Sequence, residues 1–445
     1  MTYIPRHALD NLAKYSYKSV DKSILSHYVL NPFWTWFVTL WPLSVAPNTI
    51  TLTGLCLVVS NVATMLYYDP AYLTQRGGVE LPSWIYMSWA VGLFFYQALD
   101  AIDGKQARRT GMAGPLGELF DHGCDALNTT FEVILASHAL NLGRSWWTVA
   151  SQIATLANFY LTTWEEYHTG QLYLSAFSGP VEGIILIVLV YVITALNGPA
   201  FWDTPLVQFV YLDRLVPGLV AQLPTYLQGF GTNEAFMAFG AAGVVFNSAS
   251  RHDILLSKPA RIHPANPPPS WRNLRVATHA KNKSSFRPVL LLIPFVFSAT
   301  IQVLWLSHPE WTHSAIIDST LLVPFLLAWG LQFAHMVGRI ILAHVTSTPF
   351  PIVDWMWIWS LIGAVDANVP RYFGRAPIIQ SSSTNTAIFV YATLVLSFLA
   401  YGRFVTLVIQ DITEYLGIAC FQVVKKDRDG KWKDAKVVNE KEKAK

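Results

Sequence analysis

The chain has 445 residues, of which 53% are hydrophobic and only 13% are charged, and it contains 17 Trp and 25 Phe. This composition excludes an ordinary soluble domain, which carries about 25% charged residues. Apolar runs of about 18 or more residues recur along the chain and predict an all-α membrane protein with several spanning helices. The net charge of +3 says little by itself.

The N-terminal 45 residues differ from the rest of the chain. Residues 1–30 are mixed in polarity and predict an amphipathic segment on the cytosolic face. Residues 31–45, NPFWTWFVTLWPLSV, are aromatic and too short for a full span, which favours an interfacial or re-entrant helix. About ten candidate transmembrane helices follow, at residues 50–68, 82–102, 117–140, 146–164, 181–196, 233–250, 288–306, 315–343, 350–366 and 385–410.

Basic residues predict the orientation. Lys and Arg concentrate in residues 1–30, in residues 105–109, in the loop 251–287 and in the tail after Val424. Ten spans with both termini cytosolic place all four segments on the cytosolic side, as the positive-inside rule requires. Charge at the membrane flank explains the loop, so no nucleic-acid partner is expected. The three cysteines are odd in number and widely spaced, which predicts neither a disulfide framework nor a zinc site.

The most informative stretch is residues 100–125, DAIDGKQARRTGMAGPLGELFDHGCD. On a helix at about 100° per residue, its fixed points fall within roughly 140° of arc on each of two helices. The first helix carries Asp100, Asp103, Gly104, Ala107 and Arg108, and the second carries Gly117, Glu118, Asp121, His122 and Asp125. Residues 110–115 supply the turn between them. Two such helices can pool four carboxylates, which are the ligands that Mg²⁺ and Mn²⁺ prefer.

The spacing of these residues, D-x2-D-G-x2-A-R-x8-G-x3-D-x3-D, resembles at every position the signature of the CDP-alcohol phosphotransferase family. Four segments resemble the eukaryotic choline/ethanolaminephosphotransferase branch of this family: DGKQARRTG, GPLGELFDHGCD, APNTITLTG and TTWEEYHTG. The alternative is a salt-bridged helical hairpin at the membrane surface. The resemblance runs to about residue 410.

The resemblance implies both an activity and a division of the chain. A CDP-alcohol would give its phosphoalcohol to diacylglycerol, and CMP would leave, yielding phosphatidylcholine or phosphatidylethanolamine. It also implies a homodimer in the endoplasmic reticulum or Golgi membrane, and the basic residues predict that the active site faces the cytosol. The expected regions are an interfacial segment at 1–45, a catalytic core at 46–250, a basic loop at 251–287, membrane helices at 288–410 and a basic tail at 411–445.

The resemblance further implies roles for the site residues. Two ions, Mg²⁺ or Mn²⁺, would clamp the attacking and leaving oxygens. The expected metal ligands are Asp100, Asp103, Asp121 and Asp125. Arg108 is the expected phosphate clamp, and the cytidine pocket would be lined by Gly104, Ala107 and Gly117. Asn48 resembles a family position near the nucleotide, but it could equally be the N-cap of the first span.

Two residues compete for the role of general base toward the diacylglycerol hydroxyl. In the family at large, the last aspartate of the signature, Asp125, is often given this role. The branch adds His122, with Glu118 one turn earlier to orient the imidazole. Imidazole suits proton transfer near neutral pH better than a metal-bound carboxylate does, which favours His122. Alternatively, His122 only supports Asp125.

Three other functions compete with this interpretation. A transporter with a buried cation site would place its acids near the bilayer midplane, often within inverted repeats, whereas these acids lie near one face. A lipid-binding scaffold without catalysis would not need the complete signature. A headgroup-specific enzyme, for ethanolamine only or choline only, stays open, because few residues need to change between such similar cations. Glu165, Glu166 and Tyr167 are candidates for holding that cation or for anchoring at the membrane interface.

Overall fold

A computed structural model describes residues 2–15, 19–21, 23, 25–71, 79–174, 180–249 and 289–443. Long helices dominate these residues, and strands are confined to two small sheets. The basic loop predicted at 251–287 lies outside the described residues. The chain is an all-α polytopic membrane protein.

Each of the ten predicted spans overlaps a helix, although the ninth helix begins at Ile358, eight residues after the predicted start. In chain order these helices are α3 (Pro47–Tyr68), α4 (Ser83–Thr110), α5 (Pro115–Ala139), α6 (Trp146–Thr169), α7 (Pro180–Asn197), α8 (Thr232–Ala249), α9 (Ile293–Leu306), α10 (Leu322–Val345), α11 (Ile358–Phe373) and α12 (Ser383–Leu416). Within the described residues, α3, α4, α10 and α12 are long and apolar enough to cross a membrane by length and composition. Crossing by the other six stays a prediction.

The N-terminal segment contains several short elements, and its interfacial position stays a prediction. It comprises α1 (Arg6–Leu12), a π-helical turn (Ser26–Leu30), α2 (Asn31–Phe37) and a 3-10 turn (Val38–Leu40). The apolar side chains of α1 are buried. The carboxylate of Asp411, in α12, accepts hydrogen bonds from the backbone N–H groups of Tyr3 and Ile4, at 2.6 and 2.8 Å. The start of the chain is therefore fastened to its last long helix.

The remaining elements are short. A 3-10 helix (Pro199–Asp203) and four helical turns (Leu206–Phe209, Leu212–Leu215, Pro217–Val220 and Thr225–Gln228) connect α7 to α8, and a 3-10 turn (Trp355–Trp357) precedes α11. Strand β1 (Ser19–Asp21) pairs in parallel with β2 (Leu172–Leu174). After α12, β3 (Val424–Lys426) pairs antiparallel with β4 (Trp432–Asp434), and α13 (Ala435–Lys443) follows. The described part of the basic tail is thus folded.

Small residues let the long helices approach closely. A Cβ added to Gly92, in α4, would lie 2.5 Å from Asn61 Nδ2 in α3. A Cβ added to Gly330, in α10, would overlap the side chain of Thr130 in α5. Membrane helices associate through such small-residue contacts because lipid offers no hydrophobic drive between apolar helices. These contacts fix α4 and α5, the two helices that carry the signature, against the rest of the bundle.

Candidate active site

Helices α4 and α5, with the turn between them, form the helical hairpin that the sequence predicts. Helix α4 ends at Thr110, and Gly111 follows as its cap in the left-handed conformation, with φ +72°. Backbone N–H groups of Gly111 and Met112 both donate to the carbonyl of Ala107. Pro115 opens α5, a position where its missing N–H costs nothing. Local sequence therefore determines where both helices meet.

Three of the four signature aspartates converge at this hairpin. Asp100, Asp121 and Asp125 each offer one oxygen atom, and these atoms lie within 4.8 Å of one another. All three side chains are partly buried. Asp121 Oδ1 is buried without a hydrogen-bond partner, and the hydroxyl of Tyr96 donates to Asp125 Oδ1. Carboxylates held this close repel one another unless a cation or proton lies between them.

Asp103 lies outside that group of three. Its Oδ2 accepts a hydrogen bond from the hydroxyl of Thr51, in α3. Thr51 belongs to the APNTITLTG segment, whose resemblance to the family was the only signal for it in the sequence. The helical period places Asp103 on the same side of α4 as Asp100, but the neighbouring helix α3 determines where its carboxylate points.

Asn48 is not the N-cap of the first span, so that alternative is wrong. Helix α3 begins at Pro47, its cap is Ala46, and no side chain caps it. The Asn48 amide instead donates to the carbonyl oxygen of Cys420 at 3.1 Å. Helix α3 starts two residues too early for Asn48 to cap it, because Pro47 is already its first helical residue. A role for Asn48 near the nucleotide stays a prediction.

The other predicted ligand-binding residues surround an open part of the hairpin. A Cβ on Gly104 would meet only Arg108 Nη1, at 3.7 Å, and a Cβ on Gly117 would meet nothing within 4 Å. Ala107 is buried. Arg108 is exposed, and its guanidinium makes no hydrogen bond or ion pair with any described residue. An exposed guanidinium beside a glycine, within electrostatic range of Asp103, is suited to binding an anionic ligand.

The two candidate acid–base residues have different surroundings. His122 is 8% exposed and has no hydrogen-bond partner in the described part of the chain. Glu118 accepts a hydrogen bond from the Tyr15 hydroxyl rather than from His122. Glu118 also belongs to a second group with Glu166 and His344, with one ligand atom from each lying within 4.8 Å of the others. The predicted pairing of Glu118 with His122 is therefore not formed here.

Three polar side chains that the sequence did not single out anchor the N-terminal segment to α4. Lys105 Nζ donates to Asn31 Oδ1 at 2.7 Å. The amide of Gln106 donates to the carbonyls of Pro42 and Val45, at 2.8 and 3.0 Å. Arg109 donates to the carbonyls of Val38 and Trp41 and to Gln106 Oε1. The only signal for Lys105 and Arg109 was the basic run, which suggested membrane-flank charge, and uncharged Gln106 lay within that run.

Comparison with known proteins shows the family to which the chain belongs. Residues 44–212 match the CDP-alcohol phosphatidyltransferase family model, and this region includes the entire hairpin. With its full-length relatives, this match shows that the chain belongs to the CDP-alcohol phosphatidyltransferase family, a family of membrane transferases.

Three curated relatives within this family are similar to the chain over nearly its full length. The chain is 37% identical over 423 residues to cholinephosphotransferase 1 of Saccharomyces cerevisiae, covering 95% of this chain and 98% of that protein. It is 32% identical over 429 residues to choline/ethanolaminephosphotransferase 1 of the same yeast, covering 95% and 98%. It is 33% identical over 434 residues to choline/ethanolaminephosphotransferase 1 of Arabidopsis thaliana, covering 96% and 100%. The chain is therefore a transferase enzyme of this family, which leaves the transporter interpretation without support.

Proposed function

We propose that this protein transfers phosphocholine or phosphoethanolamine from CDP-choline or CDP-ethanolamine to diacylglycerol. The diacylglycerol oxygen forms a bond to the phosphorus that carries the amino alcohol. The bond from that phosphorus to the bridging oxygen breaks, CMP leaves with the electron pair, and the hydroxyl proton passes to the enzyme. The observation that carries this proposal is the convergence of Asp100, Asp121 and Asp125 at the hairpin.

The donor set of the hairpin fits hard divalent cations. All candidate ligands are carboxylate oxygens, and Asp121 Oδ1 is buried with no partner of its own. We assign Asp100, Asp103, Asp121 and Asp125 to two ions, Mg²⁺ or Mn²⁺. Such ions, when bound, neutralise a diphosphate and stabilise its leaving oxygen. Thr51 and Tyr96 hold two of these carboxylates in place by hydrogen bonds.

The remaining hairpin residues bind and orient the nucleotide. Arg108 is exposed and free among the described residues, and its planar guanidinium can take two phosphate oxygens at once. Gly117 leaves open space beside the carboxylates, and Gly104 has only Arg108 near it. We assign these glycines, together with Ala107 and Asn48, to the cytidine side of the pocket.

We assign proton removal to His122. Asp125 already accepts a hydrogen bond from Tyr96 and shares the carboxylate group, so its oxygens are committed. His122 has a ring nitrogen free to accept the proton, since no described residue bonds it. We assign Glu118, one turn earlier in α5 and hydrogen-bonded to Tyr15, to balancing the charge of the imidazolium that forms.

The organelle, the orientation and the assembly belong to the same proposal. We place the protein in the endoplasmic reticulum or Golgi membrane as a homodimer, with the hairpin facing the cytosol. The support is the resemblance, together with the basic run at residues 105–109 in the hairpin itself. A choline-specific enzyme is the second candidate, because the similarity to cholinephosphotransferase 1 exceeds that to the yeast enzyme with both headgroups in its name.

A parallel assay tests the activity and the site together. Purified protein is given radiolabelled CDP-choline or CDP-ethanolamine with diacylglycerol, and lipid product is counted. Activity should vanish in chelator and return with Mg²⁺ or Mn²⁺, and Asp100→Asn and Asp121→Asn should abolish turnover. Asp318→Asn, in the loop between α9 and α10, is the matched control and should be unaffected. Full activity in chelator, or more than a few per cent in either hairpin variant, would refute the metal assignment.

A further inference from the structure

The C-terminal segment, defined as residues 417–443, turns back toward the hairpin after α12. Gly417 ends α12 in the left-handed conformation, with φ +63°, and Lys426 donates its backbone N–H to the Gly417 carbonyl at 2.7 Å. Strands β3 and β4 then form an antiparallel β-ribbon in which Lys426 Nζ lies 5.2 Å from the Trp432 ring centroid. Lys433 bonds to Asp427 and holds the pKa of that carboxyl below its usual range. The segment is therefore internally ordered.

This segment packs on the catalytic hairpin. Ala435 and Val423 are buried in one cluster with Ala46, and Met112 packs against that cluster. Met112 lies in the turn between α4 and α5. One turn into α5, the rings of Phe120 and Phe421 meet edge to face with centroids 5.5 Å apart. The C-terminal segment thus contacts the turn and the residue next to Asp121.

One hydrogen bond fastens the segment to the turn itself. Asn439 Nδ2, in α13, donates to the carbonyl of Gly111 at 2.8 Å. Lys425 Nζ donates to Asn439 Oδ1 at 3.3 Å, which fixes the direction of the amide. A Cβ on Gly111 would lie 2.7 Å from Asn439 Nδ2, so only glycine permits this approach. The N–H of Gly111 bonds within α4, and its carbonyl bonds to α13.

We infer that Asn439 is a positioning residue for the catalytic hairpin. The turn at Gly111 determines how the aspartate of α4, Asp100, faces those of α5. A displacement of about 1 Å at a reacting site can cost on the order of a hundredfold in rate. The inference rests on the proposed function, because it assumes that these carboxylates bind the catalytic ions. On this inference the basic tail supports metal binding at the hairpin and is more than a solvated extension.

Substitutions at Asn439 test the inference in the full-length protein. Asn439→Ala removes the donor to Gly111, and Asn439→Asp keeps the shape but cannot donate. Each should raise the Mg²⁺ concentration for half-maximal rate by about 3- to 10-fold, the worth of one hydrogen bond, and lower kcat. The longer Asn439→Gln keeps the donor and should recover part of the loss. Glu440→Ala, exposed on the same helix, is the matched control.

The expected pattern separates positioning from general stability. The melting temperature of Asn439→Ala should stay within about 2 °C of the parent, since one partly exposed hydrogen bond is small against the whole fold. Half-saturation by Mg²⁺ within twofold of the parent for both Asn439→Ala and Asn439→Asp would overturn the inference. Asp100→Asn is measured alongside. If that variant stays active, the proposed metal site fails instead, and the two failures are distinguished.

Discussion

The roles of His122 and Asp125 can be separated by one pair of variants. His122→Ala should lower kcat by ~10²–10⁴-fold, the usual contribution of a general base. At about 1.36 kcal/mol per tenfold, this corresponds to about 2.7–5.4 kcal/mol of transition-state stabilisation. His122 has no hydrogen bond to lose among the described residues, whereas Asp125 shares the carboxylate group. Loss of the imidazole should therefore leave CDP-alcohol affinity within about twofold of the parent value.

The assay combines turnover with binding. Lipid product is followed with radiolabelled CDP-choline and saturating diacylglycerol, and nucleotide binding is measured directly with and without Mg²⁺. Asp125→Asn should weaken the Mg²⁺-dependent binding as well as turnover, because it removes a metal ligand. Glu118→Gln should lower kcat less than His122→Ala does. His313→Ala, with a side chain 82% exposed in the loop after α9, is the matched control and should change neither quantity.

A specific outcome would refute this assignment. His122→Ala would keep a near-normal kcat, while Asp125→Asn would bind metal and nucleotide normally yet fail to turn over. The two residues would then exchange roles, with Asp125 as the base. The same outcome would leave the carboxylate site itself intact, because Asp100 and Asp121 are tested by separate variants.

Two further predictions follow from particular contacts, and a third follows from the predicted orientation. Thr51→Val should raise the Mg²⁺ requirement about 3- to 10-fold by freeing Asp103, and Thr51→Ser should not; equal requirements in both variants would contradict the contact. Gly330→Ala should destabilise the bundle by about 1–3 kcal/mol and lower its melting temperature, because the added methyl group overlaps Thr130. Gly402→Ala is the control and should not lower the melting temperature, because open space surrounds Gly402. Equal melting temperatures for the two variants would contradict the close packing at Gly330. In a variant lacking native cysteines, Asp429→Cys should react with an impermeant thiol reagent from the cytosolic side only, and labelling from the lumen would overturn the orientation.

Sequence alone determined the hairpin and the residues proposed for its chemistry. The helical period placed the carboxylates on two facing arcs, and Gly111 and Pro115 ended one helix and began the next where the spacing required. These features are local, because helix periodicity, a left-handed cap and a proline at the first turn act within a few residues. The same locality explains why all ten predicted spans overlap helices, although four alone meet the length and apolarity of a span in the described chain.

The tertiary structure decided which groups the hairpin residues contact. Asp103 bonds to Thr51, 52 residues away in sequence, and therefore lies outside the group of three aspartates. Glu118 bonds to Tyr15 instead of His122. Asn439 reaches Gly111 across 328 residues, although the tail has the composition of a solvated segment. The periodicity of the sequence does not predict these partners, because each contact depends on how distant helices pack. It also depends on where a small residue such as Gly111 lets another segment of the chain approach.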